Sequence, residues 1–203
     1  MEMILDFKKI FLIIVFGLAL YLVYTTYFRG TGGKSIEQLL EQHRRASGGR
    51  ADILRLEIAR TARDTDVDVL LNALNHSSAK TRAVAAETLG ELARKSRDVR
   101  GSKRLIQLLE EDENESVRVA AARALGYMRV RDAFDPLLAK LTNREPSDLV
   151  KEAAHKGLKN LTDTQELIET DDTKDRYGSL YKKWKEWYET TGVQELKKLP
   201  EAK

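Results

Sequence analysis

Residues 112–128 read DENESVRVAAARALGYM, an acidic turn followed by an alanine-rich amphipathic segment. Its helical part, VRVAAARALGYM at 117–128, aligns with TRAVAAETLGEL at 81–92 and VKEAAHKGLKNL at 150–161, at offsets of 36 and 33 residues. Similar residues recur in columns that trace one face of a helix. Those columns are Thr81, Val117, Val150; Val84, Ala120, Ala153; Ala85, Ala121, Ala154; Leu89, Leu125, Leu158; and Leu92, Met128, Leu161.

Each aligned segment follows another apolar segment, so the repeating unit is a pair of helices. The preceding leucine-rich positions are Leu70, Leu71, Leu74; Leu105, Ile106, Leu109; and Leu137, Leu138, Leu141. One such pair cannot bury both of its apolar faces, and stacking at a period of about 33 to 47 residues removes the difficulty. The composition agrees, since only three prolines interrupt a chain rich in good helix formers. The predicted fold class is an all-α solenoid.

These columns resemble HEAT repeats, and in particular the short HEAT-like repeats of phycobilisome lyases. Residues 112–128 follow that pattern closely: an acidic turn, Val-Arg, an alanine-rich helix and Leu-Gly. The third repeat departs from it, with Lys151 in place of the arginine and Lys159 in place of the glycine. The resemblance covers about Asp66 to Leu161 and implies an alpha-solenoid of about three to four helix pairs. It implies little about function, because most HEAT-like arrays are scaffolds.

An uncharged apolar run, IFLIIVFGLALYLVYTTYF, extends from Ile10 to Phe28. As a helix it would span the hydrocarbon layer of a bilayer, which is about 30 Å thick. We therefore expect a single-pass membrane anchor at 10–28; a cleaved signal peptide and a buried core helix are the alternatives. Positive charges are nearly balanced across the run, and the lysine pair Lys8 and Lys9 beside it favours a cytoplasmic N-terminus with an extracytoplasmic solenoid.

The remaining segments follow from these assignments. We predict an N-terminal flank at 1–9, a flexible glycine-rich tether at 29–34, and an N-terminal helical cap or degenerate repeat at 35–64, whose second helix has a broad apolar face formed by Ile53, Leu54, Leu56, Ile58 and Ala59. The HEAT-like repeats occupy 65–162. A C-terminal capping region covers 163–192, with Gly192 placed to end its helix, and a mobile tail follows at 193–203.

The sequence contains no set of residues that indicates catalysis. The chain has no cysteine, which excludes disulfides and thiol chemistry, and a net charge of +3, which is too small to indicate a nucleic-acid partner. HEAT-like hydroxylases use His-Glu pairs to bind iron, whereas His43, His76 and His155 are followed by Arg, Ser and Lys. We expect no catalytic, metal or cofactor site. A lyase-like or maturation factor that acts on a protein-bound cofactor is the alternative function.

Binding residues follow from the repeat register, because the resemblance places the second helices of HEAT-like arrays on the concave surface. The columns predicted to face outward are Arg82, Arg118, Lys151; Ala86, Ala122, His155; and Glu87, Arg123, Lys156. The first column is basic throughout, and together with Lys159 it would suit an acidic protein surface or lipid headgroups. The alternative is that Arg82 and Arg118 bond to acidic turns such as 112–115 and support stacking.

The C-terminal segment DRYGSLYKKWKEWYETTG at 175–192 places Trp184 and Trp187 on one helical face. This face either covers the last repeat or docks on a partner or on the membrane interface. Taken together, the sequence predicts a membrane-anchored scaffold, or an accessory subunit of a membrane complex. Its expected partners are a protein, bound through the solenoid, and membrane lipid, contacted through the N-terminal helix.

Overall fold

The computed structural model describes residues 17–18, 34–164, 170, 172 and 174–203. The chain divides into two units, Met1–Ser35 and Ile36–Lys203. In the first unit Gly17 and Leu18 are helical and exposed, and the rest of the predicted span at 10–28 lies outside the described residues. No helix in the described part of the chain has both the length and the apolarity needed to cross a bilayer.

The second unit is a succession of helix pairs. Its helices are α1 (Ile36–Arg45), α2 (Gly49–Thr61), α3 (Val67–Ala73), α4 (Ala79–Ser96), α5 (Ser102–Glu111), α6 (Glu115–Met128), α7 (Phe134–Ala139), α8 (Asp148–Thr162), α9 (Arg176–Trp187) and α10 (Val193–Leu196). The pairs are α1/α2, α3/α4, α5/α6 and α7/α8. The described residues contain no strand, so the all-helical architecture is confirmed.

Small residues let the second helices of neighbouring repeats approach closely. Helices α4, α6 and α8 pack on one another in order, with Ala85, Ala121 and Ala154 fully buried. A methyl group added to Gly126 would lie 2.7 Å from the Cα atom of Gly157, which is closer than two carbon atoms can pack. The third repeat has Lys159 where the other two have the glycine of the Leu-Gly pair. Gly157, two residues earlier, is therefore the small residue that allows α8 to approach α6.

Two of the second helices have a side-chain cap at their start, and three have the same backbone conformation after their end. The Asn114 side chain accepts a hydrogen bond from the Ser116 amide at the start of α6 (3.0 Å), and Ser147 accepts one from the Val150 amide at the start of α8 (3.2 Å). Helices α4, α6 and α8 are each followed by a left-handed residue, and these residues are Arg97, Arg129 and Asp163, with φ of 61°, 52° and 62°. The same backbone stop thus closes each repeat.

Helix α9 covers the C-terminal end of the stack. Trp184 is fully buried, and the ring of Phe134 on α7 stacks on that of Tyr188 at a centroid distance of 5.1 Å. The prediction that Gly192 ends the helix is wrong, because the chain continues through a π-helical turn at Tyr188–Gly192 into α10. Gly192 serves packing instead: a methyl group there would lie 2.5 Å from the Trp187 ring.

The prediction of a mobile tail at 193–203 is also wrong, because the tail folds back onto the repeats. The amide of Arg131 donates to the carbonyl of Pro200 (2.9 Å), and the amide of Ala202 donates to the Asp132 carboxylate (2.8 Å). The Lys203 amide reaches the Ser102 hydroxyl (2.9 Å) at the start of α5. These bonds connect residues 69 to 101 positions apart, so no local pattern could have indicated them.

At the N-terminal end the predicted apolar face of α2 is divided. Leu54 and Ile58 are buried against α1 and α4, whereas Ile53 and Leu56 are 67% and 62% exposed. Only part of the broad apolar face predicted for this helix is therefore buried. With 3.6 residues per turn, the exposed pair lies on the side of α2 opposite the buried pair.

Candidate functional site

The basic column begins with Arg82, which is bound within the fold. Its guanidinium donates to both carboxylate oxygens of Asp112 (2.7 and 2.9 Å), in the turn before the next second helix. It also donates to the carbonyls of His76 and Ser77 (both 2.9 Å), in the turn before its own helix. Arg82 therefore joins two successive repeats.

Arg118 makes the equivalent contact one repeat later. It donates to Glu145 (3.0 Å), and to the carbonyls of Asp112 and Glu113 (2.9 and 3.1 Å). Lys140 adds a second cation 3.5 Å from the Glu145 carboxylate. The structure thus supports the stacking alternative for Arg82 and Arg118, whose donors are already directed into the protein.

The two acceptor carboxylates are held in their charged form. Burial raises the pKa of Asp112, but hydrogen bonds from Arg82 and from the Asn114 amide outweigh burial and leave the pKa below its ordinary value. Burial likewise raises the pKa of Glu145, and bonds from Arg118 and the Ser147 amide bring it below its ordinary value. The Asp112 bond in turn raises the pKa of Arg82. Each pair is therefore ionised at neutral pH.

Sequence reasoning placed Asp112 among the acids that could support stacking but overlooked Glu145. The signal that would have found it is its place in the repeat: Asp112 lies 5 residues before Val117, and Glu145 lies 5 residues before Val150 in the same column. Lys151 ends the column differently, because its ammonium bonds to Asp148 on its own helix (3.2 Å) and lies 5.3 Å from the centre of the Tyr177 ring.

The second predicted column does not face outward. Ala86 and Ala122 are fully buried between second helices, and His155 is 2% exposed. The small alanine side chains lie in the close helix contacts, and the His155 Nδ1 accepts a hydrogen bond from the Trp184 indole N–H (3.1 Å). The prediction of an exposed column is corrected, and His155 is a core residue beneath the C-terminal cap.

The third column remains on the surface. The side chains of Arg123 and Lys156 are 54% and 64% exposed, and Glu87 is 28% exposed. Glu87 lies 3.3 Å from Arg55 and 4.0 Å from Arg123, and Lys156 lies 3.3 Å from Glu152. The row Glu87, Arg123, Lys156 crosses α4, α6 and α8, and we call it the second-helix stripe. Lys159 is half-buried on the last of these helices.

The tryptophans support the capping alternative. Trp184 contacts the Phe134 ring edge-on at a centroid distance of 6.3 Å, and Trp187 lies 5.8 Å from the same ring. Trp184 is fully buried, so its side chain cannot contact a partner, whereas Trp187 is half-buried. The aromatic face of α9 is used within the fold.

Metal ligands do not cluster in the described residues: no three histidine or acidic side chains lie together as an ion would require. His43 is buried beside α2 and α4, His76 is exposed in the α3–α4 turn, and His155 is in the core. The expectation that the chain is not an enzyme stays a prediction.

Stacked helix pairs, joined by arginine–carboxylate contacts between repeats, define an α-solenoid. A family model described as HEAT repeats matches residues 67–159 and also residues 102–176. The two matches together span 67–176, more than half of the 203 residues, and the chain belongs to the HEAT-repeat family. None of the curated proteins compared with the chain matches it.

Proposed function

We propose that this HEAT-repeat chain is a membrane-anchored scaffold that binds a protein partner through the second-helix stripe. The main support for this proposal is the contrast between the first and the third column of the second helices. Arg82 and Arg118 form ion pairs inside the stack. Arg123 and Lys156, which occupy equivalent positions on α6 and α8, stay largely exposed. A charged row on a rigid stack of helices suits recognition of a protein surface of complementary charge.

The membrane part of the proposal rests on the sequence. The uncharged run from Ile10 to Phe28 has the length and composition of a spanning helix. Seven residues, 29–35, separate it from the unit that begins at Ile36. A scaffold held in this way recruits or braces its partner at the bilayer surface, or belongs to a membrane complex as an accessory subunit.

Two measurements test the proposal separately. Alkaline extraction of membranes from expressing cells should leave the chain in the pellet, and release into the soluble fraction would refute the anchor. Affinity purification in mild detergent should recover a stoichiometric protein partner with the wild-type chain. The double variant Arg123→Glu, Lys156→Glu should lose that partner while keeping its helical circular dichroism spectrum.

A matched control fixes the interpretation. Lys103→Glu with Lys197→Glu makes the same change in charge at exposed positions away from the second-helix stripe. This variant should retain the partner. Loss of the partner in both variants would show a general charge effect and would contradict binding by the stripe.

A further inference from the structure

Ile53 and Leu56 form an apolar patch that no described part of the chain covers. They are 67% and 62% exposed and lie one turn apart on α2, at the N-terminal end of the stack. Leu149 and Val193 are the other large exposed apolar residues in the unit Ile36–Lys203 as far as it is described, and each stands alone on its helix. Paired apolar side chains on a terminal helix indicate a contact surface.

The helix pair that carries this patch has a positive net charge. Residues 34–63, which contain α1 and α2, hold seven Lys and Arg against four Asp and Glu, a net charge of +3, whereas residues 64–203 hold 25 against 26, a net charge of −1. The exposed charges at 49–63, on α2 and just after it, are the arginines Arg50, Arg60 and Arg63 and the acids Asp52 and Glu57. The positive charge of this unit is therefore concentrated at the end that carries the apolar patch.

We propose that the outer face of α2, with Ile53, Leu56 and the surrounding arginines, docks on an anionic lipid surface. Apolar side chains that enter the headgroup region beside arginines that bind phosphate are how an amphipathic helix lies on a membrane. A second copy of the chain fits less well, because two such faces would bring like charges together. The patch is also far smaller than the roughly 800 Å² per partner of a stable protein interface.

This inference rests on the proposed membrane anchor, because a patch of two side chains needs the high local concentration that a tether provides. Docking would fix the direction of the HEAT stack relative to the bilayer and so the position of the second-helix stripe. The proposal therefore adds an orientation to the scaffold.

The absence of cysteine from the sequence allows a direct test, since a single introduced cysteine is a unique labelling site. Leu56→Cys is compared with Leu149→Cys, a leucine of similar exposure, 65%, at the start of α8. The full-length chain is labelled with an environment-sensitive fluorophore and reconstituted in vesicles of phosphatidylcholine and phosphatidylserine. We expect emission at position 56 to shift to shorter wavelength and to be quenched by a lipid-borne quencher, with neither change at position 149.

Adding Arg60→Glu and Arg63→Glu to the Leu56→Cys chain should abolish the shift. Vesicle flotation, measured on the same samples, separates the two proposals. A chain that floats while position 56 stays in water would overturn docking and leave the anchor standing, and a chain that does not float would overturn both. Excimer emission from pyrene at position 56 would show that a second copy covers the face, and would also overturn lipid docking.

Discussion

The two ends of the HEAT stack are finished in different ways. At the C-terminal end α9 lays Trp184 onto the last repeat, and the tail returns to bond with Ser102 and Asp132. At the N-terminal end α2 is the outermost helix of the repeat unit and leaves Ile53 and Leu56 exposed. A solenoid needs a polar outer face at each end to stay soluble, and this contrast is the basis for the proposal that the N-terminal end docks on another surface.

The largest expected effect contrasts one apolar residue from each end. Trp184→Ala should lower the free energy of unfolding by about 3–5 kcal/mol, because it empties a fully buried site against Phe134 and His155. Leu56→Ala should change it by less than about 0.5 kcal/mol, as for an exposed position. Urea unfolding of the full-length chain in detergent, followed by circular dichroism, measures both. Equal losses would contradict the difference between the ends.

The contacts between repeats are tested next. Glu145→Gln should cost about 3 kcal/mol, because the partly buried Arg118 keeps its charge and loses its ionised acceptor. Glu113→Gln, which changes an exposed acid in the preceding repeat, is the control and should be nearly neutral. Unfolding midpoints at neutral pH give the comparison. If Glu145→Gln had no effect on stability, the bond between Arg118 and Glu145 would not hold the repeats together, and Arg118 would again be a candidate binding residue.

The same pair predicts a dependence on pH. The pKa of Glu145 is lowered in the folded protein, so its contribution to stability is present above the ordinary value of 4.5 and is lost as the pH falls through the folded value. Stability of the wild-type chain should therefore fall more steeply below pH 4.5 than that of Glu145→Gln. If the stabilities of the two proteins fell in parallel with pH, Glu145 would not be an ionised partner of Arg118 in the folded protein.

Close helix contact sets the third comparison. Gly126→Ala should destabilise the chain by about 2 kcal/mol, because the added methyl group meets the backbone of Gly157 at 2.7 Å. Gly49→Ala, in the first turn of α2, meets nothing within 4 Å and should stabilise by up to about 1 kcal/mol. Thermal unfolding of the two variants should thus shift in opposite directions. A shift in the same direction would show that the second helices are not in tight contact.

The smallest effect concerns the repeat nearest the uncovered end. Thr81 is buried in a column where Val117 and Val150 follow, and its hydroxyl has no hydrogen-bond partner among the described residues. Thr81→Val should therefore stabilise the chain by about 1 kcal/mol. Thr88→Val is the control, because the Thr88 hydroxyl donates to the Val84 carbonyl (2.7 Å) and its loss should bring no gain. Calorimetry of the two variants decides.

The repeats were predictable because similar residues recur at offsets of 36 and 33 positions, and the apolar residues of each column are buried alike. The exposed pair on α2 was not, because Ile53 and Leu56 alternate with Leu54 and Ile58, so apolar residues lie on both sides of the helix and periodicity cannot select one. The repeat pattern already offered the contact of Arg82 with the acidic turn at 112–115 as one of two alternatives, whereas nothing in it indicated that the tail bonds to residues up to 101 positions distant. Local patterns contain no record of such contacts.

The difference between the two ends is tested most directly by amide hydrogen exchange on the full-length chain in detergent. Amides of α9 and of residues 196–203 should exchange slowly, because the cap and the tail open only with the repeats, whereas those of α2 should exchange faster than those of α6. Slow exchange in α2 together with rapid exchange in α9 and the tail would contradict the claim that the C-terminal end is covered and the N-terminal end is not.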